Sequence, residues 1–200
     1  MLRTKRARNR TSKGRTNNAY LQLSMHFGAG SNARPISFNV TELKRILLAE
    51  DSADDIELIL AALEESGLAS QVTVLRDGSE VLDFFYQRGE FASRTPGNPA
   101  VLLLDVKMPK VSGIEVLRVI KNDEALKRMP VVMLTSSREE ADVARCYELG
   151  ANAYVVKPME FAEFARAVTH LGLFWAAINE PPPCGAPPAT LTSASAGRRL

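Results

Sequence analysis

Cysteine and histidine are both scarce in this 200-residue chain, with two of each. Cys146 and Cys184 show no CxxC spacing and have no neighbouring histidine, which argues against a disulfide framework or a cysteine–histidine zinc site and fits a reducing compartment. No apolar run approaches the roughly 20 residues of a membrane span, and no apolar stretch of a secretory signal follows the basic amino terminus. The chain therefore reads as cytoplasmic, without a membrane partner. Acid is missing from residues 1–41, which hold eight Lys or Arg, whereas residues 46–180 hold thirteen basic and twenty-two acidic residues. The small overall charge of +2 thus hides a basic leader and an acidic body.

The leader lacks aromatic residues where they would count. Arg3, Lys5, Arg6, Arg8, Arg10, Lys13 and Arg15 could neutralise phosphates, but Tyr20 and Phe27 come only after them. No stacking platform for single strands results, so a nucleic-acid partner is not expected. Residues 1–44 show no sustained hydrophobic period and are expected to be a disordered extension; Met25 is an alternative beginning. Residues 179–200 are rich in Pro, Ala and Ser and are expected to form a second disordered tail.

Between these tails, residues 45–178 alternate strand and helix signals. Ile46 to Glu50, Val72 to Leu75, Ala100 to Asp105, Pro130 to Thr135 and Ala153 to Val156 read as five strands. Asp54 to Ser66, Ser79 to Gln87, Ile114 to Asn122, Arg138 to Leu149 and Glu160 to about Ala177 read as five helices, with Gly89 to Pro99 as a loop. Such alternation predicts an α/β fold with a doubly wound, five-stranded parallel sheet and right-handed crossovers. In strand order 2-1-3-4-5 the first and third strand tips lie side by side at the switch point, where ligands bind.

The strand ends carry chemistry. The first ends in Glu50 and Asp51, the third in Asp105, the fourth in Thr135, and the fifth runs through Tyr154 to Lys157. Taken singly, each has a plain reading as a strand end or a core residue. Taken together, three carboxylates about 4 Å apart would repel by ~4 kcal/mol per pair at an effective dielectric near 20. A hard divalent cation, Mg2+, removes that repulsion and points to phosphoryl chemistry. Lys157 then supplies a charge for a phosphate oxygen and Thr135 a hydroxyl, leaving Asp105 as nucleophile.

In these residues the chain resembles the receiver domain of two-component response regulators, the fold of the chemotaxis response regulator, which is flavodoxin-like. The resemblance implies that Glu50 and Asp51 are the acidic pair and Asp105 the phosphoacceptor. It also implies that the Lys107 carbonyl completes the metal shell, that Thr135 and Tyr154 form a switch pair, and that Lys157 binds phosphate. Pro158 matches a proline that follows a cis bond in the family, and Met108-Pro109 and Gly113 match its turn after the third strand. The acidic pair is Glu-Asp where Asp-Asp also occurs. The loop over Phe85 to Pro99 and Phe174-Trp175 further resemble single-domain regulators that partner phytochrome histidine kinases.

The implied function is a stand-alone regulator that takes a phosphoryl group from a histidine kinase onto Asp105 and signals through altered protein contacts. Its own chemistry would be limited to accepting and losing that group. A homodimer through helix 4, strand 5 and helix 5 is expected, because Phe161, Phe164, Val168, Leu171, Phe174 and Trp175 give the last helix more apolar surface than one sheet face needs. One alternative is an interaction module independent of phosphorylation. The other is a Mg-dependent phosphatase with an Asp nucleophile, but that class places an acid two residues on, where this chain has Lys107. No GxGxxG follows the first strand, which disfavours a dinucleotide site.

Overall fold

The structure, a computed structural model, describes residues 43–180 apart from 96 and 137, together with the backbone of three strands nearer the amino terminus. These are β1 (Arg3–Ala7), β2 (Tyr20–Ser24) and β3 (Ile36–Asn39), paired antiparallel in the order β1-β2-β3. At these segments the structure differs from the disordered extension expected over residues 1–44. Leu21 and Leu23, like Ile36 and Phe38, recur at the period of a strand, and the register sets Leu21 opposite Phe38 and Leu23 opposite Ile36. The two runs are only five and four residues long, too short to give a sustained period. The rest of residues 1–42, and residues 181–200 of the expected tail, lie outside the described residues.

Five further strands form a parallel sheet: β4 (Ile46–Ala49), β5 (Val72–Leu75), β6 (Val101–Asp105), β7 (Val131–Thr135) and β8 (Ala153–Val156). Their order is β5-β4-β6-β7-β8, the expected 2-1-3-4-5 when these five are counted alone. Helices α1 (Ala53–Glu64), α2 (Gly78–Tyr86), α3 (Gly113–Asn122), α4 (Glu140–Glu148) and α5 (Phe161–Leu173) occupy the connections and the end. A π-helical turn, Phe174–Ile178, continues the last of them.

Two cores sandwich the sheet, and strand alternation divides residues between them. Ile46, Leu48, Val101, Leu103, Val132 and Leu134 pack with Ile59 and Leu63 of α1 and Phe164 and Val168 of α5. Leu47, Ala49, Leu102, Leu104, Val131 and Met133 face the other way, onto α2, α3 and Cys146 of α4. Every residue of β4, β6 and β7 is buried, which is why these strands read as unbroken apolar runs. The two ends of the unit are tied together. The Lys44 N–H donates to the Ala176 carbonyl, and Lys44 Nζ donates to the carbonyl of Asn179 and pairs with Glu180.

The helix starts hold the loops above the sheet. Ser52 Oγ accepts from the Asp55 N–H at the head of α1, and Ser112 with Glu115 forms a capping box on α3. Asp77 caps α2 through the Glu80 N–H and also pairs with Lys110 at 2.6 Å. Lys110 sits in the loop after β6 with a left-handed φ of 63°. That backbone costs a non-glycine residue about 1 kcal/mol, which the ion pair helps to offset. Burial alone would raise the Asp77 carboxyl, but hydrogen bonds from Lys110, Ser79 and the Glu80 N–H, with the Lys110 charge, hold it down at about 2.

A carboxylate depressed in the folded state stabilises above its unfolded pKa and loses that contribution as pH falls through the folded value. Asp77→Asn keeps the cap but not the charge, so it is expected to cost about 1–2 kcal/mol at pH 7, allowing for the exposed lysine. In urea titrations the gap between the two proteins should shrink from about pH 4 and vanish only below about pH 2. A gap that does not change with pH would mean that the ion pair contributes nothing.

Candidate functional site

The alternation that divides the cores also sorts the residues at the strand tips. The Glu50 N–H donates to the Leu75 carbonyl at 3.0 Å and the Lys157 N–H to the Thr135 carbonyl at 2.7 Å, so the ladder continues one residue past β4 and β8. Counting along each strand, Glu50, Asp105 and Lys157 fall on the side of α1 and α5. Thr135 and Tyr154 fall on the opposite side. Tyr154 packs against the core that includes Met133 and Cys146, and Thr135 is buried at the tip of β7.

On the α1 side one ammonium gathers three carboxylates. Lys157 Nζ lies 2.6 Å from Glu50 Oε2, 2.7 Å from Asp55 Oδ2 and 3.0 Å from Asp105 Oδ1. Glu50 and Asp105 are buried, and Lys157 is nearly so. Glu50 also accepts from the Ser52 N–H, and Asp105 Oδ2 accepts from the Lys107 N–H at 2.6 Å.

Burial pushes the Glu50 and Asp105 carboxyls above their ordinary range, against the pull of the Lys157 hydrogen bond and charge. The neighbouring charge of Asp51 adds to the rise at Asp105. Burial alone would lower the lysine, but its hydrogen bonds to Asp55 and Glu50 and the charge of Asp105 raise it. The ammonium is thus firmly protonated among carboxyls that carry a desolvation penalty.

Close backbone packing fixes the position of Asp105. The Gly113 N–H donates to the Val106 carbonyl, and a Cβ on Gly113 would overlap the Asp105 carbonyl oxygen. The turn after β6 therefore requires glycine at the head of α3.

The site brings together Glu50, Asp105 and Lys157 as expected, with Asp51 exposed beside them. Lys107 meets Asp105 through its N–H, a contact not foreseen from sequence. Asp55 was also not foreseen, because an acid in the first turn of a helix reads as a favourable partner for the helix dipole. Its signal was its place three residues after the Ser52 cap, in the first turn of the helix that leaves the tip of β4.

Among the described residues there is no cis peptide bond, so the cis bond implied before Pro158 is corrected to trans. Trans is the lower-energy isomer by about 0.5–1 kcal/mol even before proline, and in it Lys157 reaches all three carboxylates.

The donor set fits a hard divalent cation in its chemistry. Three carboxylates against one ammonium leave a formal charge of about −2 in a largely dry place, before Asp51 is counted. Among the described residues, however, no three acidic side chains are assembled at ligand spacing. Lys157 occupies the oxygens that a cation would need.

Residues 46–169 match the family described as the response regulator receiver domain. The chain is similar to the response regulator Rcp1 of Synechocystis sp., at 39% identity over 66% of this chain and 88% of that protein. It resembles the solved structure of the bacteriophytochrome response regulator RtBRR at 57% identity, over 70% of this chain and 85% of the other, with a TM-score of 0.57. It also resembles the Mn2+-bound form of Rcp1 at 38% identity, over 70% and 99% of the two chains, with a TM-score of 0.64.

Proposed function

The chain belongs to the response regulator receiver family, and we propose that Asp105 is its phosphoacceptor, within a switch unit spanning residues 45–178. The observation that carries this reading is Asp105 at the tip of β6 with Lys157 Nζ 3.0 Å away. An Asp105 carboxylate oxygen attacks the phosphorus of a kinase phosphohistidine. The nitrogen–phosphorus bond breaks, its electron pair stays on the imidazole, and an acyl phosphate forms on Asp105. Lys157 neutralises charge on the transferred group, and the Lys107 N–H keeps the second carboxylate oxygen oriented.

Receiver domains bind a divalent metal, and the Mn2+-bound form of Rcp1 is a structural relative. In this chain Glu50, Asp51, Asp105 and the Lys107 carbonyl would hold Mg2+, which would draw charge from the transferring oxygens when bound. Similarity to a cyanobacterial phytochrome response regulator and to a bacteriophytochrome response regulator supports a phytochrome-type kinase as donor.

The output runs through the opposite side of the sheet. A phosphoryl group adds charge and three acceptors beside the tip of β7. Thr135 would turn toward it, and Tyr154, on the same side, would follow inward. Driving such a switch from mostly off to mostly on takes about 5.5 kcal/mol of differential interaction, supplied by the Lys157 pair and the hydroxyl.

The face of α4, β8 and α5 is the surface that would change, and a homodimer through it is the proposed readout. Phe164, Val168 and Leu173 are buried, and Leu171 and Trp175 pack on the core, yet Phe161 is 54% and Phe174 45% exposed. Exposed aromatic residues on a helix face mark partner surfaces.

Phosphotransfer from a phytochrome-type kinase with Mg2+, followed by intact mass, is expected to add one phosphoryl group to wild type and none to Asp105→Asn. Labelling that persists in the variant would move the acceptor elsewhere. Sedimentation at tens of micromolar with beryllofluoride should show dimers that Phe161→Ala/Phe174→Ala reduces. A monomer in every condition would remove the dimer.

A further inference from the structure

We infer that Asp55, in the first turn of α1, is a positioning residue for phosphoryl transfer, holding Lys157 over the site while Glu50 and Asp105 turn to the cation and the phosphoryl group. The inference rests on the phosphoacceptor reading and names a residue which that reading leaves unused.

The Lys157 ammonium donates to Glu50 at 2.6 Å and Asp55 at 2.7 Å and forms an ion pair with Asp105 at 3.0 Å. Glu50 and Asp105 also belong to the proposed metal set, so their lone pairs cannot serve lysine and cation in full. Asp105 gives up its carboxylate charge altogether when it becomes an acyl phosphate. Asp55 is the one of the three that neither event consumes. Without it, a long flexible side chain would have to find the phosphoryl oxygen with no fixed partner, or would stay on Glu50 and compete with the cation.

The anchor itself is rigid. The Asp55 N–H donates to Ser52 Oγ at 3.3 Å, and the next residue, Ile56, is buried beneath α1. The Asp55 side chain is about a third exposed, whereas those of Glu50 and Asp105 are buried. Lys157 is thereby suspended between a solvated carboxylate on the helix and two buried ones on the strands. Exchanging the buried pair for a phosphoryl oxygen leaves the third contact in place.

A plainer role exists: an acid near a helix amino terminus stabilises the helix by its charge alone. That role touches the melting temperature and neither the metal nor the labelling rate, so the two are separable. The full chain is compared as wild type, Asp55→Ala, Asp55→Asn and Asp55→Glu, with phosphoramidate as donor in Mg2+, reading the Asp105 adduct by intact mass. Mg2+ affinity is measured separately by calorimetry without donor.

Asp55→Ala is expected to lower the maximal labelling rate about tenfold at an unchanged half-saturating donor concentration, and to weaken Mg2+ binding as Lys157 settles on Glu50 and Asp105. Asp55→Asn should fall between, and Asp55→Glu should restore most of the rate. Wild-type labelling and Mg2+ affinity in Asp55→Ala, whatever the melting temperature does, would overturn the inference. A wild type that takes no label would instead overturn the phosphoacceptor reading, and the positioning role of Asp55 with it.

Discussion

One ammonium governs the chemistry of this molecule. Lys157 lies within 3.0 Å of Glu50, Asp55 and Asp105, which come from three separate elements: the tip of β4, the first turn of α1 and the end of β6. Two of these carboxyls are buried and made less acidic by desolvation, so the lysine charge allows them to sit side by side. The same arrangement prepares the site for its ligand. It leaves net negative charge beside Asp105, the proposed phosphoacceptor, with the Lys157 ammonium 3.0 Å from its carboxylate.

The sheet makes that convergence possible and also divides it from its output. A parallel order of β5-β4-β6-β7-β8 brings the β4 and β6 tips together, and period-two alternation decides which side each tip residue faces. Glu50, Asp105 and Lys157 share the side of α1 and α5, while Thr135 and Tyr154 fall on the side of α4. In the proposed switch, the tip of β7 is where a change at Asp105 would meet the other layer. Gly113, whose missing Cβ leaves room for the Asp105 carbonyl, and Lys110, tied to the α2 cap at Asp77, hold the loop between these parts.

Most of this architecture was legible in the sequence, because buried parallel strands such as Val101 to Leu104 are apolar on both faces and end where their chemistry begins. The convergence of Glu50, Asp51 and Asp105 was expected from strand order, whereas Lys157, two strands from β6, was joined to them by the chemistry of a phosphate site and by the family resemblance. Asp55 was not foreseen, since Asp54 and Asp55 both suit a helix start and their backbone role says nothing of where one side chain reaches. The trans bond at Pro158 lay outside what residue types can fix, as both isomers are open before proline. The strands β1 to β3 escaped notice because they are four or five residues long, and two alternating apolar residues in each of β2 and β3 carry little signal. The extent of the last helix was read closely, but which of its aromatic residues stay exposed depends on packing against α1 and β4.

The central claim, that the Lys157 charge holds this site together, is tested most directly by urea unfolding of Lys157→Met against wild type without divalent cations. Methionine keeps the length and removes the charge. The account predicts a loss of about 3 kcal/mol at pH 7, the cost of leaving buried carboxylates without their partner. Because Glu50 and Asp105 have raised pKa values, the loss should narrow as pH falls through them and both carboxyls become neutral. Equal stability of the two proteins at pH 7 would contradict the claim.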